Sequence, residues 1–305
     1  MSDTSVRDRN PDALSNIFFM TKRAEVAFEA IDTLVLEGWE RDYCKAQTMF
    51  GIPGTGKTRT LGNYRDARKD QNSLVVEVTP GCNAKSFASD ILKAVRDPAP
   101  DFGSPGERMR RALKAIEELK LDFLAFEEFH RLISTKTDKV DVDVANMVTG
   151  ILNKRICPLV LIGDPEAYRV INSLGNQFLG QRCMPPFDFE PYDWGLEEDR
   201  ADFRGILHAI DLELGFASRS GLGRVDTAQR IYAHCRGRAR LAANLIAEAR
   251  RLARKRGLPC LNHEVLALAV DRIMVHRPGR PQNPFRTLKP PVVEPASGYS
   301  VGDDE

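Results

Sequence analysis

The sequence predicts an α/β fold, a doubly wound parallel sheet followed by a smaller helical subdomain, and three observations carry that expectation. A glycine-rich loop joins a short apolar run to a helical one within residues 46–68. Further short apolar runs, LVVEV (74–78), LDFLAF (121–126) and PLVLI (158–162), alternate with helical periodicity, and near-continuous runs suit strands covered on both faces of a parallel sheet. From Pro185 the texture changes: PPFDFEPYDW reads as a rigid connector, and almost everything from 196 to 274 is helical in period.

Length and charge narrow the possibilities. The 305 residues are 42% hydrophobic and 29% charged, enough for one large domain or two smaller ones. With 44 basic against 43 acidic residues the net charge is +1, so any surface for nucleic acid must be local. No apolar run approaches the ~20 residues that span a bilayer, and the polar start MSDTSVRDRNPD lacks a signal-peptide core; the expectation is a cytoplasmic protein without membrane contact. The six cysteines are widely spaced with no C-x-x-C pair, which favours reduced thiols over a zinc site.

Taken in order, residues 1–16 are polar and read as a flexible N-terminus. Residues 22–37 place Val26, Ala27, Ala30, Ile31, Leu34 and Leu36 mostly at helical spacing, an amphipathic helix ahead of the first strand, expected beside the nucleotide. The stretch 49–59, MFGIPGTGKTR, then sets Gly51, Gly56, Lys57 and Thr58 in the G-x-x-x-x-G-K-[ST] spacing of a phosphate-binding loop, with Gly54 inside it. Glycines let backbone N–H groups close round a β-phosphate, Lys57 reaches the β- and γ-phosphates, and the Thr58 hydroxyl ligates Mg²⁺. An apolar strand at 46–50 and a helix from 58 supply the required context.

Residues 84–95 read as a helix with Phe87, Ile91 and Leu92 inward, and 107–119 as a charged one. On the latter, Arg108, Arg110, Arg111 and Lys114 form either a DNA-facing cluster or a solvated face. The strand at 121–126 ends in Glu127-Glu128, which places one carboxylate for a Mg²⁺ shell and the next for the attacking water; a surface acidic pair is the alternative. A Glu stands here where Asp is usual, and its extra methylene lengthens the link to the metal. After the strand at 158–162 comes Asp164, and Gly51 to Thr58, Glu127, Glu128 and Asp164 are expected to converge at the carboxyl ends of the strands. In CRGRARLAANLIAEARRLARKRG (235–257), Leu241, Leu245, Ile246 and Leu252 form a core face, while the cations of the last turns either complement the helix dipole or contact a polyanion. The Pro-rich residues 276–305 are expected to form a disordered tail that docks a partner.

This order of motifs resembles an AAA+ ATPase, a P-loop NTPase with a C-terminal helical lid. The wording of FEEFHRLI (126–133), PLVLIGDPEAYRVI (158–171) and GNQFLGQRCMPPFDFEPYDW (175–194) resembles, more narrowly, the transposition regulators TnsC, TniB and MuB. The likeness covers roughly 18–270 and implies domains at 17–190 (nucleotide-binding core) and 191–275 (lid). It implies ATP and Mg²⁺ as cofactors, with Gly51, Pro53, Gly54, Thr55, Gly56, Lys57, Thr58 and Arg59 round the nucleotide, Thr58 and Glu127 on the metal, and Glu128 activating water. Asp164 takes a position usually filled by a small polar residue, and its charge is expected to point away from the γ-phosphate. Arg182 matches an arginine supplied in trans to a neighbour's site, and Arg240 a lid arginine that senses γ-phosphate, with Arg236 or Arg238 as substitutes.

The family resemblance further implies a homo-oligomeric ring or filament on duplex DNA, held through phosphates, that recruits a DDE transposase with a TniQ-like targeting protein. Lys85, Arg108, Arg111, Lys136 and Lys139 are the candidate DNA contacts. The alternatives are an AAA+ replication or helicase-loader ATPase, against whose origin-binding type stands the lack of a winged-helix segment after Met274, and a non-hydrolysing nucleotide-dependent scaffold.

Overall fold

The computed structural model describes residues 14, 17–133, 140, 142–172, 177–274 and 282–293. The chain divides into two compact units, one of residues 23–53 and 57–190, the other of 1–22, 54–56 and 191–305.

The first unit is a layered α/β structure. Helix α1 (Lys22–Glu37) buries Ala24, Ala27, Phe28, Ile31 and Leu34, the i, i+3, i+4, i+7 stripe of an amphipathic helix. Strand β1 (Ala46–Phe50) is buried at every residue and leads through the glycine loop into α2 (Lys57–Ala67). Helix α1 packs on α2 through Asp32, which accepts from the Tyr64 hydroxyl at 2.7 Å and pairs with Arg68 at 2.7 Å. Next come β2 (Ser73–Glu77) and two capped helices. In α3 (Ala84–Ala94) the side chains of Asn83 and Ser86 reciprocally satisfy the first turn, and in α4 (Pro105–Leu119) Ser104 and Glu107 do so with Pro105 just inside. That cap starts α4 two residues before the position expected from the charge pattern.

Strand β3 (Phe123–Glu127) runs into a 3₁₀ turn (Phe129–Leu132), followed by α5 (Val142–Asn153), the fully buried β4 (Leu159–Gly163), and two short helices, α6 (Ala167–Asn172) and α7 (Gln177–Arg182). The stretch expected to be only a connector contributes β5 (Phe187–Asp188), a two-residue parallel edge strand on β1. The sheet is parallel in the order β2-β3-β4-β1-β5. Phe50, Val76, Leu124, Phe126, Leu159 and Leu161 meet Phe87, Ile91, Ile116 and Val148 in one core. Inserting β4 between β1 and β3 places its carboxyl end midway between the glycine loop and the acidic pair.

The second unit is helical: α8 (Glu197–Glu213), α9 (Val225–Cys235), α10 (Ala239–Lys255) and α11 (His263–Ile273). Trp194, Phe203 and Tyr232 form an aromatic cluster with ring centroids 5.3–6.4 Å apart, joined by Leu207, Leu245, Ile246 and Val270. On α10 the core face is Ala242, Leu245, Ile246, Ala249, Leu252 and Ala253, and Leu241 is only partly buried. Three cations in its last turns and just past its end have local partners: Arg250 donates to the Leu214 carbonyl, Arg251 pairs with Glu248 and Arg256 with Glu264.

Of residues 1–16 only Leu14 is described, and of 276–305 only 282–293; the described residues have partners in the helical unit. Leu14 is buried in the helical core, Phe19 packs against Gly205, and the Lys22 N–H donates to Asp202 at 2.8 Å, so 17–22 group with the helical unit instead of the sheet. Residues 282–293 pack on α9 and α11: Phe285 and Asn283 are buried, and Asn283 donates to the Ala267 carbonyl and to Asp271. The buried Arg230 donates to the carbonyls of Pro284 and Thr287. A run of prolines carries too little apolar surface for a core of its own, yet one Phe and one Asn suffice to seat it on a core already formed. Among the described residues no helix is long and apolar enough to cross a membrane.

Candidate nucleotide site

Strand β1 delivers the loop from the middle of the sheet. A Cβ on Gly51 would meet the Phe189 carbonyl oxygen at 2.1 Å, so this first position takes glycine because the chain returning from β5 lies against it. Gly54 and Gly56 have φ of +90° and +110°, left-handed backbone that lets successive N–H groups point to one side of the loop. Lys57 opens α2, is 9% exposed, and turns its Nζ back over the loop onto the Gly51 and Ile52 carbonyls. A cradle of amides, an inward lysine and a helix N-terminus fits a polyphosphate.

The acidic strand end faces it. Thr58 lies near enough to Glu127 to act on its pKa, so the two expected Mg²⁺ ligands are neighbours. Burial raises the pKa of Glu127; Thr58 opposes that rise, while Glu77 and Glu128 add to it. An acid made costly to ionise beside a hydroxyl fits a divalent cation, which would offset the carboxylate's desolvation. Glu128 sits in left-handed backbone at φ 58°, unusual for a side chain of this size, and its carboxylate lies 3.4 Å from Arg131 Nη2 and 3.6 Å from His130 Nε2. Arg131 is itself held by Glu77 at 3.0 Å and by the Val78 carbonyl at 2.8 Å.

Asp164 corrects one expectation. Its carboxylate points toward the loop, with Oδ1 3.6 Å from Lys57 Nζ and Oδ2 3.8 Å from His130 Nε2. The cause is the sheet order: β4 lies between β1 and β3, the Gly51 N–H donates to the Gly163 carbonyl at 3.1 Å, and Asp164 is the next residue. Burial lowers the pKa of Lys57, and Asp164 works against that fall. His130, which the motif reading passed over, is the centre of this arrangement. Its Nδ1 accepts the Asp164 N–H at 3.2 Å, which leaves the ring proton on Nε2 between the Glu128 and Asp164 carboxylates. Gly163 favours the close approach of this turn, since an added Cβ would lie a tight 3.1 Å from the His130 nitrogen.

The other expected residues scatter. Thr55 is buried, Pro53 exposed, and Arg59 half-buried with its pKa lowered by burial. Arg182 ends α7 with its guanidinium 4.9 Å from the Tyr43 ring centroid, a cation–π stack within the first unit. Arg240 is exposed at the start of α10, and its N–H donates to the Gly54 carbonyl at 3.1 Å.

Two of the proposed DNA contacts are structural. Arg108 is 5% exposed and donates to Ser89 Oγ at 2.6 Å and to the Gly103 carbonyl at 3.0 Å. Arg111 pairs with Asp97 and donates to the Phe102 and Ala99 carbonyls. Both fasten the 96–104 loop, because the helix they stand on turns their stems inward. Lys85 is exposed, and Lys136 and Lys139 lie outside the described residues.

Residues 41–171 match the family model of an AAA domain. Among solved structures the chain resembles Cdc6p from Pyrobaculum aerophilum, with a TM-score of 0.64 at 19% identity over 88% of this chain and 74% of that one. It also resembles the ORC1 protein of Aeropyrum pernix in complex with DNA, with a TM-score of 0.62 at 20% identity over 87% and 70%. For Drosophila ORC bound to DNA the TM-score is 0.53 at 15% identity over 90% and 69%. No curated protein matches the chain. Taken with the strand order and the glycine loop, these likenesses show an AAA+ P-loop fold, with residues 41–171 matching an AAA domain.

Proposed function

We propose that the protein is an ATP-hydrolysing switch that assembles on duplex DNA, in the manner of AAA+ replication initiators and loaders. The observation that carries the ATPase reading is the meeting of Lys57, Thr58, Glu127 and Glu128 at one end of the sheet. Lys57 and the loop amides hold the phosphates, Thr58 and Glu127 hold Mg²⁺, and Glu128 orients the attacking water. The DNA reading is supported by the similar solved structures, two of which contain DNA. Arg182, unstacked from Tyr43, completes a neighbour's site in this reading.

A second reading, an ATP-dependent transposition regulator that recruits a DDE transposase and a TniQ-like partner, rests on the three stretches at 126–133, 158–171 and 175–194. One experiment separates the two. Electron microscopy of the protein on long duplex DNA of arbitrary sequence, with a non-hydrolysable ATP analogue against ADP, gives continuous filaments for a transposition regulator. Discrete particles on DNA support the loader type, and protein that never joins DNA with either nucleotide rejects both. Hydrolysis stimulated by DNA and lost in Glu128→Gln excludes a pure scaffold.

A further inference from the structure

Asp164 is the residue that neither reading absorbs. A carboxylate 3.6 Å from the phosphate-loop lysine occupies the electrostatic place that a terminal phosphate would claim. Its second oxygen faces His130 Nε2, whose proton also faces Glu128 Oε2 at 3.6 Å. Four side chains are thereby joined in one line, Lys57 to Asp164 to His130 to Glu128.

We infer that Asp164 is a nucleotide-selecting residue: it competes with the terminal phosphate of a nucleoside triphosphate for Lys57, so that the site takes a diphosphate by preference. This rests on the nucleotide-binding reading above and deepens it.

Two like charges cannot share Lys57 at short range without a repulsion that an adjacent donor must relieve. The donor is present. Asp164 carries its own N–H bond to His130 Nδ1, which fixes the ring with Nε2 toward the carboxylate, so a small rotation of the Asp164 side chain exchanges Lys57 for His130. A diphosphate asks Lys57 to meet its β-phosphate only and brings no further phosphate against Asp164, so the Lys57–Asp164 pair stays in place. His130 has one proton for two carboxylates; when Asp164 takes it, Glu128 keeps only Arg131, 3.4 Å away, and is released from the histidine side. Asp164 and His130 are therefore positioning residues that pass the occupancy of the terminal phosphate to the water-orienting glutamate.

The test is equilibrium titration of fluorescent ADP and a fluorescent non-hydrolysable ATP analogue, with Mg²⁺, against wild-type protein, Asp164→Asn and His130→Ala. The wild type is expected to bind the diphosphate more tightly. Asp164→Asn, which keeps shape and removes charge, moves the triphosphate-to-diphosphate affinity ratio by about tenfold or more toward the triphosphate, tenfold being the low end for one close like-charge contact. His130→Ala moves it the other way, because the displaced carboxylate has lost its donor, and adding Asp164→Asn cancels that loss. Should Asp164→Asn fail to fold by circular dichroism, His130→Ala alone decides. An unchanged ratio in folded variants that still bind both nucleotides overturns the inference and leaves the nucleotide site standing. A wild type that binds neither nucleotide overturns the site reading and the inference together.

Discussion

Arg108 Nη1 donates to Ser89 Oγ at 2.6 Å, a bond between α4 and α3 that turns a cation expected on a DNA surface into a strut inside the sheet's outer layer. With Nε on the Gly103 carbonyl as well, its guanidinium ties the 96–104 loop to two helices.

Arg108→Ala is expected to cost about 1–3 kcal/mol of stability, the range for buried acceptors left without their donor, read as a fall in thermal midpoint. Lys85→Ala should leave the midpoint alone, weaken duplex binding and lower its salt slope by about one. Equal effects of the two variants on DNA binding at matched stability would remove the distinction between them.

Asp32 supplies a pH-dependent link between α1 and α2. Burial raises its pKa, but the hydrogen bonds and charge of Arg68 and the Tyr64 hydroxyl outweigh it and hold the carboxyl below its ordinary value. In acid the unfolded state therefore binds more protons, so the stabilisation is fully present above the unfolded pKa, near 4, and is lost as pH falls through the folded value. Asp32→Asn should destabilise by about 1–2 kcal/mol at pH 7. Denaturant titrations repeated down to pH 3 should show that gap closing.

If Glu128 orients the attacking water as proposed, Glu128→Gln should retain ATP binding and lose about a hundredfold or more in turnover. Lys57→Ala should instead abolish binding of both nucleotides, measured by the same titrations. Undiminished turnover in Glu128→Gln would assign the water to another residue.

For Arg182, the expected outcome of an alanine change is loss of ATP-dependent assembly in analytical ultracentrifugation with nucleotide affinity of the monomer intact. Tyr43→Ala, which removes the stack but not the charge, should assemble normally. Assembly by Arg182→Ala would end its assignment as the arginine in trans.

Phe285→Ala is expected to lower stability by about 3–5 kcal/mol, because a fully buried ring leaves a cavity between α11 and the 282–293 segment. Limited proteolysis should then cut near that segment in the variant and spare it in the wild type.

Local chemistry made much of this molecule legible from its residues alone. The glycine spacing of the loop and the unalternated apolar runs of β1 and β4 each encode a backbone conformation or a buried face within a few residues of themselves, whereas on α1 the stripe was legible only in part, since Val26 and Leu36, expected inward, are exposed. Thr58 and Glu127 could be paired because two motifs of one chemistry imply a common ligand. His130 stayed hidden for the opposite reason. A histidine after an acidic strand has no distinctive spacing, and its meaning arises only when the Asp164 N–H, 34 residues later, fixes its tautomer.

Beyond that, the tertiary structure decided what no local pattern contains. Sheet order placed β4 between the loop and the acidic pair, and so aimed Asp164 at Lys57 when its charge alone argued for the reverse. Helix packing turned Arg108 and Arg111 inward, while the preformed core of α9 and α11 captured a proline-rich segment that composition marks as unfolded. Sequence by itself determined the elements and the backbone of the glycine loop, because both depend on near neighbours. Which charges face one another depended on the order in which distant strands pair, since burial and partner, not residue type, set what a charged side chain does.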